Sequence, residues 1–422
     1  LNAQAVFEPG TLALVPGSIP PGVDTSNTNP NGGTNNAGII DVRGLSLPAA
    51  SEVLIQFDVT LAAALLDGTV VTNQADLNGP PKLADSDDPY VNGQANPGVA
   101  GDEDPTRVVI EAVPPPALAK LNTQATAAIG EEFSYRITIP SVPHSAPLFD
   151  VRILDDLAAS AADLVFVDVT KVSAGGAWVP VNTGGAKSVV IEDPANGIDI
   201  PAGEQAVIEI TVRLEDTATN VAGLTFTNAA SYTYNQLDND SATQLAGDGD
   251  VTGPMTVVEP ELTLEKSGPL QMRLGQAQGF TLNVQNIGDS PAFGTYLTDV
   301  LPHTAEGGMC DASPVAVTAQ LYEADGVTPV APALVDGVDF TVSFDGDPVC
   351  TLTVEVLTPA GAIGPDQRLI VNYDATLDAD TQRDVALTNV AGATQWFSID
   401  ISDAGAAPFA RTYARVLTDG TV

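Results

Sequence analysis

Three stretches of this chain carry the same phrase, an apolar/polar alternation that runs into Asn and then into small residues. They are Val70-Val71-Thr72-Asn73-Gln74-Ala75, Leu224-Thr225-Phe226-Thr227-Asn228-Ala229-Ala230 and Val385-Ala386-Leu387-Thr388-Asn389-Val390-Ala391. The three Asn residues lie 155 and 161 positions apart, which marks a tandem array of units, each closing its own core. The array divides into residues 1–115, 116–259 and 260–422, with Pro114-Pro115-Pro116 as a stiff first spacer and Pro254 and Pro260 bracketing the second.

Around each phrase the pattern has period two. Val53 to Leu61, Gly130 to Ile139, Val207 to Leu214, Phe280 to Val284 and Leu369 to Leu377 all read as strands. Aromatics make up only 5% of residues, while Gly and Pro number 38 and 32, a mix that favours short strands and turns over helices. The expected fold is all-β: tandem Ig-like antiparallel β-sandwiches arranged as an elongated rod. Acidic loops are expected at Asp85 to Asp104 and Asp238 to Asp250.

The formal charge of −39 excludes nucleic acid as a partner, because no basic cluster is available to displace phosphate counterions. No apolar run is long enough to cross a bilayer, so membrane insertion is not expected. The two cysteines, Cys310 and Cys350, read either as buried thiols or as one disulfide formed in an oxidising compartment; the disulfide is the reading adopted.

The ends do not match a whole number of units. Lys120 to Asn228 spans 108 positions and Lys266 to Asn389 spans 123, yet only 72 residues precede Asn73 and 33 follow Asn389. The first unit is therefore expected to lack its N-terminal strands, and the last unit its closing strand. Either the chain is a window on a longer polypeptide, or a neighbouring copy supplies the missing strands by β-strand addition.

The series Leu262-Thr263-Leu264-Glu265-Lys266, Gly275, Phe280-Thr281-Leu282-Asn283-Val284-Gln285-Asn286-Ile287-Gly288, Leu297-Thr298-Asp299-Val300-Leu301-Pro302 and Thr388-Asn389-Val390-Ala391 resembles the Ig-like conserved-repeat domains of bacterial surface proteins. Those are related to the isopeptide-forming domains of fimbrial shaft and adhesin proteins. The match extends to the second unit, where Ile139-Pro140 replaces the usual Asn-Gly turn, and to the back half of the first. The resemblance implies a secreted, non-enzymatic structural protein of the bacterial cell surface, a module of a filament, fimbria or stalk whose partners are copies of itself or neighbouring repeats. The alternative is an adhesin whose loop tips bind a glycan or a protein.

Within that frame, Lys120 with Asn228 and Lys266 with Asn389 are candidates for intramolecular isopeptide bonds, and Asp155 and Asp299 align as the assisting acids. The attacking amine must be neutral, which burial favours, and a buried carboxyl can carry protons as ammonia leaves. The chain has only five lysines, and two fall in the same register. The plainer reading is that these lysines are solvated or ion-paired and that the Asn residues anchor turns.

Calcium is the one cofactor that composition suggests. Asp85, Asp87, Asp88, Asp102, Glu103 and Asp104 form one oxygen-rich set, and Asp238, Asp240, Asp248 and Asp250 another; solvated acidic turns are the competing reading. Catalytic spacings are absent: His144 and His303 stand in loops without a nucleophile nearby in the pattern, so no enzyme is expected. Trp178 and Trp396 are expected in core or inter-unit packing.

Overall fold

The computed structural model describes residues 4–15, 22–62, 65–96, 98–173 and 176–417. Among them the chain is all-β, with five short 3-10 turns and no α-helix.

The second and third units share one plan. In the second, a four-stranded sheet runs Leu164–Lys171, Ala206–Leu214, Glu132–Ile139, Ala119–Asn122. Facing it is a five-stranded sheet, Val181–Asn182, Ser188–Glu192, Phe149–Asp156, Ala229–Asn235, Gln244–Val251. In the third, the corresponding orders are Val315–Tyr322, Arg368–Ala375, Gln278–Asn286, Leu262–Ser267 and Phe340–Asp345, Thr351–Val356, Phe293–Val300, Val390–Phe397, Thr412–Ala414. Alternation drives both. Along Ala206–Leu214 every second residue is buried, putting Ile208, Ile210, Val212 and Leu214 into one core and their neighbours outward. Buried apolar residues from Leu118 to Val257 form one cluster and those from Leu262 to Trp396 another.

The second unit carries an extra layer, in which Thr126–Ala128 runs parallel to Met255–Val258, itself paired with Thr225–Phe226. Among the described residues the third unit has no counterpart of this layer.

Two expectations change here. The acidic stretch read as a loop from Asp238 to Asp250 contains an edge strand, Gln244–Val251, paired with Ala229–Asn235. Gly and Asp suggest a loop, but at Gly247 a side chain would run into the Tyr232 ring, so Gly is the residue that lets this strand lie against the aromatic. The run from Val53 to Leu61 is not one strand. It divides at Phe57–Asp58, where the Asp58 carbonyl accepts from the Glu8 N–H and the Asp58 N–H donates to Thr11 Oγ1. Leu54–Gln56 then pairs with Ala13–Val15, and Val59–Leu61 with Ala5–Phe7. Among the described residues, the first 115 positions hold four separate two-stranded ladders with few buried residues, and Leu54, Val59 and Leu61 stay exposed.

Cys310 and Cys350 form a disulfide, with Cα atoms 5.1 Å apart, buried beside the turn that leads into Thr351–Val356. Trp178 and Trp396 are both buried.

The second and third units meet through polar contacts around Arg411. Its guanidinium donates to Asp216 at 2.6 Å, to the Asn220 carbonyl at 2.8 Å, to Glu259 and to the Thr217 carbonyl. Ser398 Oγ donates to the Ile129 carbonyl at 2.6 Å. Gly130, at φ +85°, leaves room for the backbone carbonyl of Phe409, and the Arg213 guanidinium lies 3.3 Å from the Phe409 ring centroid.

Candidate functional site

The segment Ala119-Lys120-Leu121-Asn122 inverts the usual burial rule: Lys120 is 1% exposed while Leu121 is 62% exposed. Strand alternation causes this. Lys120 stands opposite Ile137, whose side chain faces the core, so the lysine must face it too. Across the sandwich, Asp155 follows Val151 and Ile153 on the inward face of Phe149–Asp156 and is equally buried. Two groups that normally seek water are thus forced together between the sheets, an arrangement that contributes little net stability and marks a candidate for chemistry.

Lys120 Nζ lies 2.5 Å from Asp155 Oδ2, and the other carboxylate oxygen, Oδ1, accepts from Asn228 Nδ2 at 2.9 Å. One carboxylate therefore touches both the amine and the carboxamide. Asn228 sits in the break between Thr225–Phe226 and Ala229–Asn235, where the chain passes from one sheet to another. Its N–H donates to Thr252 Oγ1 and its carbonyl accepts from the Thr252 N–H, both at 3.0 Å, which fixes the backbone. The side-chain oxygen is buried without a partner. The Lys120 ammonium lies 4.5 Å from the Tyr135 ring centroid, and the Tyr135 hydroxyl is also buried and unpartnered. Burial pulls the Lys120 amine below its usual value, against the charge and hydrogen bond of Asp155.

The third unit repeats the constellation with one change. Lys266 Nζ contacts Asp299 Oδ1 and Oδ2 at 2.5 and 2.6 Å. Burial draws Lys266 down to about 8, and burial also raises Asp299 despite Lys266 beside it. Asn389 does not reach the acid directly. Its Nδ2 donates to the Tyr373 hydroxyl at 3.2 Å, and that hydroxyl donates to Asp299 Oδ2 at 2.7 Å. Asn389 Oδ1 is buried and unpartnered, as in the second unit. Nothing in the sequence marks Tyr373, because its relevance depends on the register between two strands far apart in the chain.

Asn73, the third copy of the phrase, lies in a ladder opposite Thr106. The first lysine after it, Lys82, is held by Asp76 and Asp85.

Members of the two acidic sets expected to suit calcium take part in local hydrogen bonds and ion pairs. Asp88 accepts from Tyr90 and Arg107 N–H, Asp87 from Asp104 N–H, Asp102 from Asn96 N–H, and Asp104 from Asn92. Asp85 holds Lys82, Asp240 caps a 3-10 turn, and Asp250 accepts from Lys120 N–H and Val251 N–H. The Asp248 carbonyl accepts from Leu118 N–H. Asp238 converges instead with Asp150 and Asp199, their carboxylate oxygens within 4.8 Å of one another. Asp150 accepts there from Asn235 and Asn239, and burial raises the Asp199 carboxyl, with the charges of Asp238 and Asp150 adding to it. His303 lies on the surface 3.1 Å from Asp347.

No protein-family model matches the chain, and no curated protein does. Among solved structures, the C-terminal domain of the Streptococcus agalactiae AgI/II polypeptide BspA is similar at 11% identity over 67% of this chain and 95% of that one, with a TM-score of 0.33. The C-terminal domain of the Streptococcus pyogenes antigen I/II-family protein AspA gives 10% identity, 65% and 94% coverage and 0.31. Collagen adhesin (CNA) from S. aureus gives 10%, 66% and 85%, and 0.21. All three are bacterial surface proteins; superpositions this loose carry no argument about the role of any residue. No helix among the described residues is long and apolar enough to cross a membrane.

Proposed function

We propose that this chain is an extracellular structural segment of a bacterial surface stalk or filament, and that a Lys–Asn isopeptide bond staples its sandwich. The observation that carries this reading is the fully buried Lys120–Asp155–Asn228 set, in which one carboxylate touches both reacting groups. In the reaction the neutral Lys120 amine attacks Asn228 Cγ, a new C–N bond forms, and the Cγ–Nδ2 bond breaks. Asp155 accepts a proton from the amine and delivers it to the departing nitrogen, so that ammonia leaves and no oxidant is required. Closure of the site from water favours each of these steps.

The position of the bond suits a load-bearing role. Lys120 lies in the first strand of the unit and Asn228 just ahead of Ala229–Asn235, in the opposite sheet. Tension along the chain would pass through the amide and bypass residues 121–227. The Arg411 contacts fix the third unit against the second, which a stiff rod also needs. Adhesion through loop tips has less support: among the described residues the exposed aromatics are Tyr90 and Phe409, which form no contiguous patch, and Phe409 is in contact with the Arg213 guanidinium.

Intact mass of the unreduced chain tests the staple. The expected mass is lower than the disulfide-corrected sequence mass by at least one ammonia, with a Lys120–Asn228 branched peptide after digestion. A mass equal to the corrected sequence mass overturns it. Negative-stain images are expected to show rods or beaded fibres.

A further inference from the structure

The two Lys/Asp/Asn sets occupy the same lattice of strand pairs, and that lattice shows which registered positions differ around them. Lys120 faces Ile137, which faces Ile208; Lys266 faces Leu282, which faces Val371. Two residues along, Tyr135 faces Ile210 in the second unit, and Phe280 faces Tyr373 in the third. Asp155 opposite Ala230 likewise corresponds to Asp299 opposite Ala391, with Asn228 and Asn389 each two positions earlier. Tyr373 thus stands where the second unit has the wholly buried, apolar Ile210.

The hydroxyl this exchange brings into the site sits between acid and amide. In the second unit the carboxamide donates straight to the carboxylate at 2.9 Å. In the third it meets Tyr373 at 3.2 Å, and Tyr373 holds the carboxylate oxygen at 2.7 Å. Both Asp299 oxygens are then occupied, by Lys266 and by the phenol. The acid has no direct contact through which to protonate the leaving nitrogen of Asn389. A phenol is a poor substitute, and burial together with the Asp299 charge makes the Tyr373 proton still harder to release. The ring is braced by stacking on Phe280, centroids 5.3 Å apart, so it does not swing aside freely.

We propose that Tyr373 withholds the isopeptide bond from the third unit, so that the chain carries one staple, Lys120–Asn228, and one open Lys266–Asn389 pair. This rests on the reading of the second unit given above. Its consequence is mechanical asymmetry: the second unit is locked under tension while the third can extend and refold.

The test is the intact mass of the full chain and of two variants, with branched-peptide mapping and circular dichroism to confirm folding. Tyr373→Phe keeps the stacked ring and removes only the hydroxyl; Tyr373→Ile puts at this position the residue type that the second unit has there, Ile210. The wild-type chain is expected to lose one ammonia, mapped to Lys120–Asn228, and each folded variant two, the second mapped to Lys266–Asn389. Adding Lys266→Ala to either variant is expected to restore the loss of one. Two ammonias lost by the wild type overturn the inference while leaving the staple reading intact, as does a loss of one in both folded variants. No loss in the wild type overturns the staple at Lys120; a variant that then gains a Lys266–Asn389 bond still upholds the role of Tyr373, and variants that gain none overturn both.

Discussion

Lys120 Nζ and Asp155 Oδ2 meet at 2.5 Å with neither side chain exposed, while the adjacent Leu121 points to solvent. Lys120→Ala removes the staple and the buried group that Asp155 contacts, and is expected to cost at least about 3–5 kcal/mol. Leu121→Ala is expected to change stability by less than about 0.5 kcal/mol. Guanidinium unfolding of the two variants checks this; a larger loss at Leu121 would refute the burial assigned to the pair.

Lys266 makes stability depend on pH in the alkaline range. Its folded value is about 8 and its ordinary value 10.5, so between them the unfolded chain binds the extra proton. Stability of the third unit therefore rises as pH increases across that window, by an amount on the order of 3 kcal/mol. Thermal unfolding measured from about pH 7.5 to about pH 10.5 is expected to show the rise in wild type and to lose it in Lys266→Met/Asp299→Asn.

Arg411 joins two units through one guanidinium. Arg411→Ala is expected to weaken their contact by about 2 kcal/mol, because hydrogen bonds to a charged group are lost. Limited proteolysis should then cut faster between Asp216 and Asn220 and near Glu259. Arg411→Lys is expected not to restore protection, since an ammonium cannot reproduce the fork that reaches Asp216, Glu259 and the Asn220 carbonyl together.

The Cys310–Cys350 disulfide closes a loop with a sequence separation of 40. Cys310→Ser/Cys350→Ser is expected to lower the stability of the third unit by about 4 kcal/mol. Differential scanning calorimetry should show that transition shift, with the transition of the second unit unmoved.

Much of the architecture is legible in the residue pattern. Period-two alternation places Glu132–Ile139, Ala206–Leu214 and Arg368–Ala375 as strands, and the recurring order of Lys, Asp and Asn puts Lys120, Asp155 and Asn228 in one register. Those features are local or repeat at a fixed order, so a single chain reveals them. The edges are less legible. The Gln244–Val251 strand reads as an acidic loop, because Gly247 answers to the Tyr232 ring across the ladder and not to its own neighbours.

The sequence alone determined that the chain is a β-rich array and put a lysine, an acid and an amide in the same order in the second and third units. Tertiary structure decided what becomes of the repeated Asn phrase. Asn73 enters a ladder opposite Thr106, Asn228 falls in a break and touches Asp155, and Asn389 is met by Tyr373. The reason is geometric: the group opposing each Asn comes from a distant strand, and its identity is set by register between strands, which the local phrase does not encode.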